Sequence, residues 1–268
     1  MTNTGSFRVE EFPSSRIATI DIGNVSQMKH YIRALIEIDV TEARNIIREK
    51  KKKNEHISFN SWLIKCVSTT VEEFREIHAI RKGRRKKVIF DDIDISIMVE
   101  REIHGKRVPL PYVIRKTNEK SISEIDLEIK SAMTQTISDE GNNVLGKGKN
   151  KILMKAYYSL PGFIRRSIWK GMIKNPFLTK QNMGTVIISS VGMMGSINGW
   201  VIPFGIHPLS IAVSSIVRKP GVVDDRIEIR EFLPLTIAVD HDVIDGAPAL
   251  RALSKLGLLM EEGYGLKV

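Results

Sequence analysis

An α/β fold in a single domain, with a mixed sheet flanked by helices, is the architecture this sequence predicts. Segments with strand-like alternation and segments with helical spacing interleave along all 268 residues, and neither an internal repeat nor a composition break marks a linker. A hydrophobic share of 42% and a charged share of 27% suit a soluble globular chain with room for one sizeable core.

The first fifteen residues are read as an extension ahead of the domain. In YIRALIEIDV (31–40), Ile32, Ala34, Ile36 and Ile38 alternate with Arg33 and Glu37, which predicts a half-buried strand. Thr41 then caps a helix through EARNIIREKKKK, and Ser58 opens a second helix to about Phe74. Phe59, Leu63, Val67 and Val71 form its core stripe, and Cys66, the single cysteine, reads as a core residue of a protein from a reducing compartment. DIDISIMVE and VPLPYVIRK predict a hairpin across HGKR. Ser121 and Glu124 fit a capping box for a helix to about Ile137. Residues 141–183 are read as a loop plus an inserted basic amphipathic helical segment, broken at Pro161 and ended near Pro176. Ile164, Ile168 and Met172 share one face there, opposite Arg165, Arg166, Lys170 and Lys174. Such a helix can lie on a membrane surface, but more often packs on its own protein. GTVIISSVG, NGWVIPFG, LSIAVSSIV and IEIREFLPLTIAVD read as strands, and a helix from Ala247 to Glu262 closes the chain.

The net charge of +10 is concentrated in REKKKKN (48–54) and RKGRRKK (81–87). Both runs read as solvated turns and helix ends, with attraction of a phosphorylated small molecule as the functional alternative. No aromatic residue is interleaved with either run, so nucleic acid is not an expected partner. No signal-peptide core and no membrane-span-length apolar run is present, which makes the cytoplasm the expected address.

The candidate site is TIAVDHDVIDGAPAL (236–250), where a strand gives way to a helix at Asp240, His241, Asp245 and Gly246. A rigid sheet end is where a general base has to be held in advance of reaction. His30, His56, His78, His104 and His207 have no ligand-like spacing with His241, so no metal is expected.

These residues resemble a known family. DHDVIDGAPA is similar to the Asp-His-Arg-x-x-Asp-Gly-Ala signature of the 2-oxoacid dehydrogenase acyltransferase catalytic domain, whose fold is shared by chloramphenicol acetyltransferase. KHYIRALIEIDVTEAR, FNSWLIKCVSTTVEEFREIHA, VPLPYVIRKTNEKSISEIDLEIK and GTVIISSVGMMGSINGWVIPFGIHPLSIAVSSI resemble further blocks, in the family's order from about Ile17 to the C-terminus. The resemblance implies a chloramphenicol acetyltransferase-like two-layer sandwich. It also implies acyl transfer between a coenzyme A thioester and a thiol such as dihydrolipoamide, or a hydroxyl. In that chemistry His241 is the general base and Ser189 stabilises the oxyanion. Asp245 is expected to fix the loop through an ion pair with an arginine, Gly246 to serve close backbone approach or positive φ, and Gly192 to be structural at the site.

The resemblance also implies a homotrimer or a higher multiple of three, with the His of one subunit facing the Ser of the next. Three features depart from the pattern. Asp242 replaces the Arg after the catalytic His, Ser190 replaces the usual Asn, and Lys29 replaces a Pro as a small change at a strand entry. Only about fifteen residues precede the matching region, so no lipoyl-bearing lysine is expected in cis, and a lipoyl-bearing protein in trans is a candidate partner. Two rival readings stay open: a non-catalytic trimeric scaffold, and a peripheral membrane protein using residues 150–180.

Overall fold

The computed structural model describes residues 5–12, 14–103, 106–134, 156–193 and 195–267. Helix α1 (Ser14–Ser26) leads into strand β1 (Tyr31–Asp39), followed by helices α2 (Thr41–Lys52) and α3 (Phe59–Glu73). A small hairpin of β2 (Ile80–Lys82) and β3 (Lys86–Val88) precedes the long hairpin of β4 (Ile95–Ile103) and β5 (Lys106–Ile114). Helices α4 (Ile122–Thr134), α5 (Gly162–Lys174) and α6 (Pro176–Met183) come before β6 (Val186–Ser190), β7 (Leu209–Val213), β8 (Val217–Val223) and β9 (Arg226–Asp240). Helix α7 (Gly246–Glu261) closes the fold.

Seven strands form one mixed sheet in the order β1-β9-β7-β6-β4-β5, with β8 also on β9. β6 runs parallel to β4 and β7; the other pairs are antiparallel. Every residue of β7 is buried and apolar apart from Ser210, as expected of a strand covered on both faces. One face carries the main core, where Ile95, Ile188, Ile211 and Leu235 meet Leu63 and Val67 of α3 and Leu253 of α7. The predicted α/β sandwich is therefore the observed architecture.

Local signals hold where a side chain closes its own turn. Ser58 caps α3 by accepting from Ser61 N at 3.1 Å, and Ser121 and Glu124 exchange their capping-box bonds. Several boundaries differ. α2 includes Thr41, whose amide and hydroxyl both donate to Asp39 Oδ1, so the aspartate supplies the turn. NGWVIPFG is coil: Pro203 lacks a backbone N–H donor, and the segment is fixed instead by contacts such as Trp200 Nε1 donating to Ile36 O at 3.0 Å. LSIAVSSIV breaks after Val213, and an unforeseen β8 resumes at Val217. Helix α5 ends at Lys174, near Pro176 as expected, and Pro176 also starts α6, where Asn175 supplies the cap and proline suits a first helical turn. Residues 135–155, including the end expected for α4 and the first part of the inserted segment, lie outside the described residues.

The first fifteen residues are not all extension, since α1 begins at Ser14. It packs on α5 through a second small core of Val25, Trp169, Ile173, Met183 and Ile206. Arg165 is on this inner face, its Nε 2.7 Å from the buried Asp21 carboxylate, and Trp169 Nε1 donates to Tyr157 Oη at 2.8 Å. The amphipathic helix is thus rotated from the expected face, with Trp169 and Ile173 turned inward and Ile168 half exposed. Among the described residues no helix is long and apolar enough to cross a membrane.

Two histidines are held inside this frame. His78 Nδ1 lies 2.7 Å from Thr185 Oγ1, and His207 Nε2 lies 3.1 Å from Met183 O. Burial pushes each pKa down to about 4. The unfolded chain takes up these protons near pH 6.5, so stability is complete above that pH and falls as pH drops from about 6.5 toward 4. Each site contributes on the order of 3 kcal/mol across that interval. Urea midpoints are expected to be level from pH 7 to 8 and clearly lower at pH 5; equal midpoints at pH 7 and pH 5 would contradict this linkage.

Candidate active site

His241 follows the last residue of β9, where the sheet ends and the turn into α7 begins. Its backbone N–H donates a hydrogen bond to His30 O at 2.7 Å, while the residue itself is exposed. Asp240 beneath it is fully buried and pairs with Lys29, so Lys29 is far more than a small change at a strand entry. Asp242 does not leave an ion pair missing. Its Oδ1 lies 3.0 Å from His30 Nδ1 and its Oδ2 lies 3.3 Å from Arg81 Nη1. The His30 bond, reinforced by the Arg81 charge, holds the Asp242 carboxyl below its ordinary pKa. Lys87 donates to Val243 O at 3.2 Å, so the basic run 81–87 includes two residues that brace this loop.

Two expectations for the loop are corrected. Asp245 is exposed at the start of α7, makes no capping bond, and pairs with no arginine among the described residues. The charge pair forms at Asp242 instead, because that side chain faces the β2–β3 hairpin. A Cβ on Gly246 would meet nothing within 4 Å, and no left-handed φ is needed there. The close approach is at Gly192, where a Cβ would stand 2.6 Å from the Ser214 carbonyl oxygen.

Ser189 is at the other end of the sheet. Pairing places Ser189 beside Ala212 and Ala212 beside Thr236. His241 lies five residues beyond Thr236, which at strand rise is about 17 Å away along the sheet. One chain therefore does not bring His241 and Ser189 together. Ser189 and Ser190 line a pocket of about 280 Å³ between α3, α4, β4 and β6. A second pocket of about 310 Å³ continues past Gly192 to Arg44, Ser58 and Ser214. Asn60 and Ser190 line both, with Ser190 Oγ 3.4 Å from Asn60 Oδ1. Asn60, His30 and Arg81 could not be placed at these positions from the sequence, since each is brought there by contacts far apart in the chain. Among the described residues no cluster of His, Cys, Asp and Glu is arranged to hold a metal.

A family model described as 2-oxoacid dehydrogenases acyltransferase (catalytic domain) matches residues 22–141 and 174–266. The chain belongs to this acyltransferase family. The stretch between the matched regions contains most of α5, which docks on α1. Among curated relatives of this acyltransferase domain is the lipoamide acyltransferase component of the branched-chain alpha-keto acid dehydrogenase complex of Bacillus subtilis. It is 26% identical over 94% of this chain and 52% of its own length. The chain spans about half the length of the curated relatives it matches. The solved cubic core of the pyruvate dehydrogenase multienzyme complex has the same fold, with TM-score 0.68 and 18% identity over 100% of this chain and 98% of that one. Chloramphenicol acetyltransferase superposes with TM-score 0.50 and 14% identity over 96% and 97%.

Proposed function

We propose that this chain is a coenzyme A-dependent acyltransferase whose site forms between subunits, with His241 of one copy opposite Ser189 of the next. The observation that carries the reading is the separation of the two residues within one chain, each at an accessible end of the sheet. A cubic assembly, as named for the pyruvate dehydrogenase core, has threefold axes, which supports a trimer as the unit here.

In the forward direction the His241 imidazole takes the proton from the attacking thiol or hydroxyl as its sulfur or oxygen bonds to the thioester carbonyl carbon. The carbonyl electron pair moves onto oxygen, where the Ser189 hydroxyl donates to it. Collapse restores the carbonyl, breaks the bond to the coenzyme A sulfur, and returns the proton from His241 to that thiolate. The acceptor is dihydrolipoamide, free or on a lipoyl-bearing protein, or a small alcohol. A cytoplasmic setting is part of the proposal; the buried Cys66 thiol, its pKa pushed up by burial, suits a reducing compartment.

A trimeric scaffold without turnover is the second reading, favoured by the carboxylate of Asp242 where the family has arginine. Peripheral membrane binding has less support, since α5 packs its Trp169 face on α1. Thiol release from acyl-coenzyme A donors in the presence of dihydrolipoamide or small alcohols separates the first two readings. Co-refolding an inactive His241→Ala chain with an inactive Ser189→Ala chain is expected to restore part of the activity, because some mixed interfaces pair two intact residues. Absence of recovery in verified mixed oligomers would place a complete site within each chain.

A further inference from the structure

Resting on the acyltransferase reading, we propose that Asp242 is a positioning residue for His241, clamped between His30 and Arg81, so that restoring the family's arginine at this position impairs the site. The contacts of three consecutive residues are the first reason. Asp240 pairs with Lys29, the His241 N–H donates to His30 O at 2.7 Å, and Asp242 Oδ1 lies 3.0 Å from His30 Nδ1. Two residues at the entry of β1 thus hold all three, and the Asp242 N–H donates in turn to Asp240 Oδ1 at 3.2 Å. The imidazole of His241 is exposed and takes part in none of these bonds, so its place is set by the grip of its neighbours on the backbone. A general base has to be held within about 0.5 Å of its working position before reaction.

The β2–β3 hairpin is the second reason. Arg81 and Lys87 are cross-strand partners in it, and like charges directly opposite each other weaken a ribbon whose strands are only three residues long. Both side chains are directed at the loop that carries His241. Arg81 Nη1 lies 3.3 Å from Asp242 Oδ2, and Lys87 Nζ donates to Val243 O at 3.2 Å, with Glu76 Oε1 3.0 Å from the same nitrogen. The Asp242 carboxylate is what allows these two cations to converge. A guanidinium in its place would be a third cation at the same point, and Arg81 would be repelled from the loop it braces. Lys29 completes the clamp, but substitution there leaves the buried Asp240 unpaired, and the loss of stability would mask an effect on position. Residues 242 and 81 are therefore the ones to change.

The test is a charge swap, read in acyl transfer from acetyl- and succinyl-coenzyme A to dihydrolipoamide, in donor binding by calorimetry, and in hydrogen exchange of the 237–245 backbone by mass spectrometry. Asp242→Arg and Arg81→Asp are each expected to lower kcat by about tenfold to 10²-fold while donor KM and Kd stay within about twofold, because a misplaced base slows chemistry and leaves binding intact. Exchange across 240–243 should quicken about fivefold or more. The double variant Asp242→Arg/Arg81→Asp is expected to regain about fivefold or more in kcat over either single variant, and to slow exchange again. Asp242→Asn, which keeps a hydrogen-bonding group toward His30 and loses the charge toward Arg81, is expected to fall between wild type and Asp242→Arg; it also serves if the charge reversals do not fold. Activity of Asp242→Arg equal to or above wild type would overturn the proposal, as would a loss confined to KM or deficits that the swap does not reduce. If wild type turns over no donor but exchange still follows the swap, the transferase reading fails and the clamp on His241 stands. Absence of both turnover and any change in exchange removes both.

Discussion

His241→Ala is expected to lower acyl transfer by 10²-fold or more, toward the upper part of the ~10²- to 10⁴-fold range of a positioned general base. The loss is assigned to chemistry because the ring is exposed and the bond that fixes this residue runs through its backbone amide to His30 O, which alanine keeps. Thermal midpoint and oligomer size should therefore stay close to wild type. Activity of His241→Ala within a few-fold of wild type would remove the imidazole from the mechanism and leave the scaffold reading in its place.

The strand-to-helix junction at His241 was legible because every determinant is local. A buried apolar run, a turn and an amphipathic helix follow one another within thirty residues, so periodicity alone describes them. The same logic located α3, whose cap and core stripe are both encoded in its own first turns. Helix α1 was missed because its stabilising partner is α5, some 140 residues further on, and its own apolar pattern is weak. NGWVIPFG was misread as a strand for the opposite reason: it is locally apolar, but no neighbouring strand takes its hydrogen bonds. The electrostatics around His241 lay furthest out of reach. Arg81 meets Asp242 across 161 residues and Lys29 meets Asp240 across 211, so only the assembled sheet turns a local charge reversal into a balanced network.

Ser189→Ala is expected to cost roughly 10²- to 10³-fold in kcat with little change in affinity for the acyl donor, since a hydrogen bond to a developing oxyanion forms chiefly in the transition state. Ser190→Ala is the control that gives this expectation its force. Successive residues of β6 face opposite sides of the sheet, so Ser190 falls with Ile188 on the α3 side, beside Asn60, whereas Ser189 falls with Ile187. Removing the Ser190 hydroxyl deletes its 3.4 Å contact with Asn60 and should lower turnover by less than about tenfold, because that contact exists before reaction as well as during it. The reverse pattern, with Ser190→Ala inactive and Ser189→Ala near wild type, would move the oxyanion donor to the α3 side. Asn60 and Ser190 would then be the groups beside the oxyanion, and the facing His241 would have to approach from that side of the neighbouring sheet.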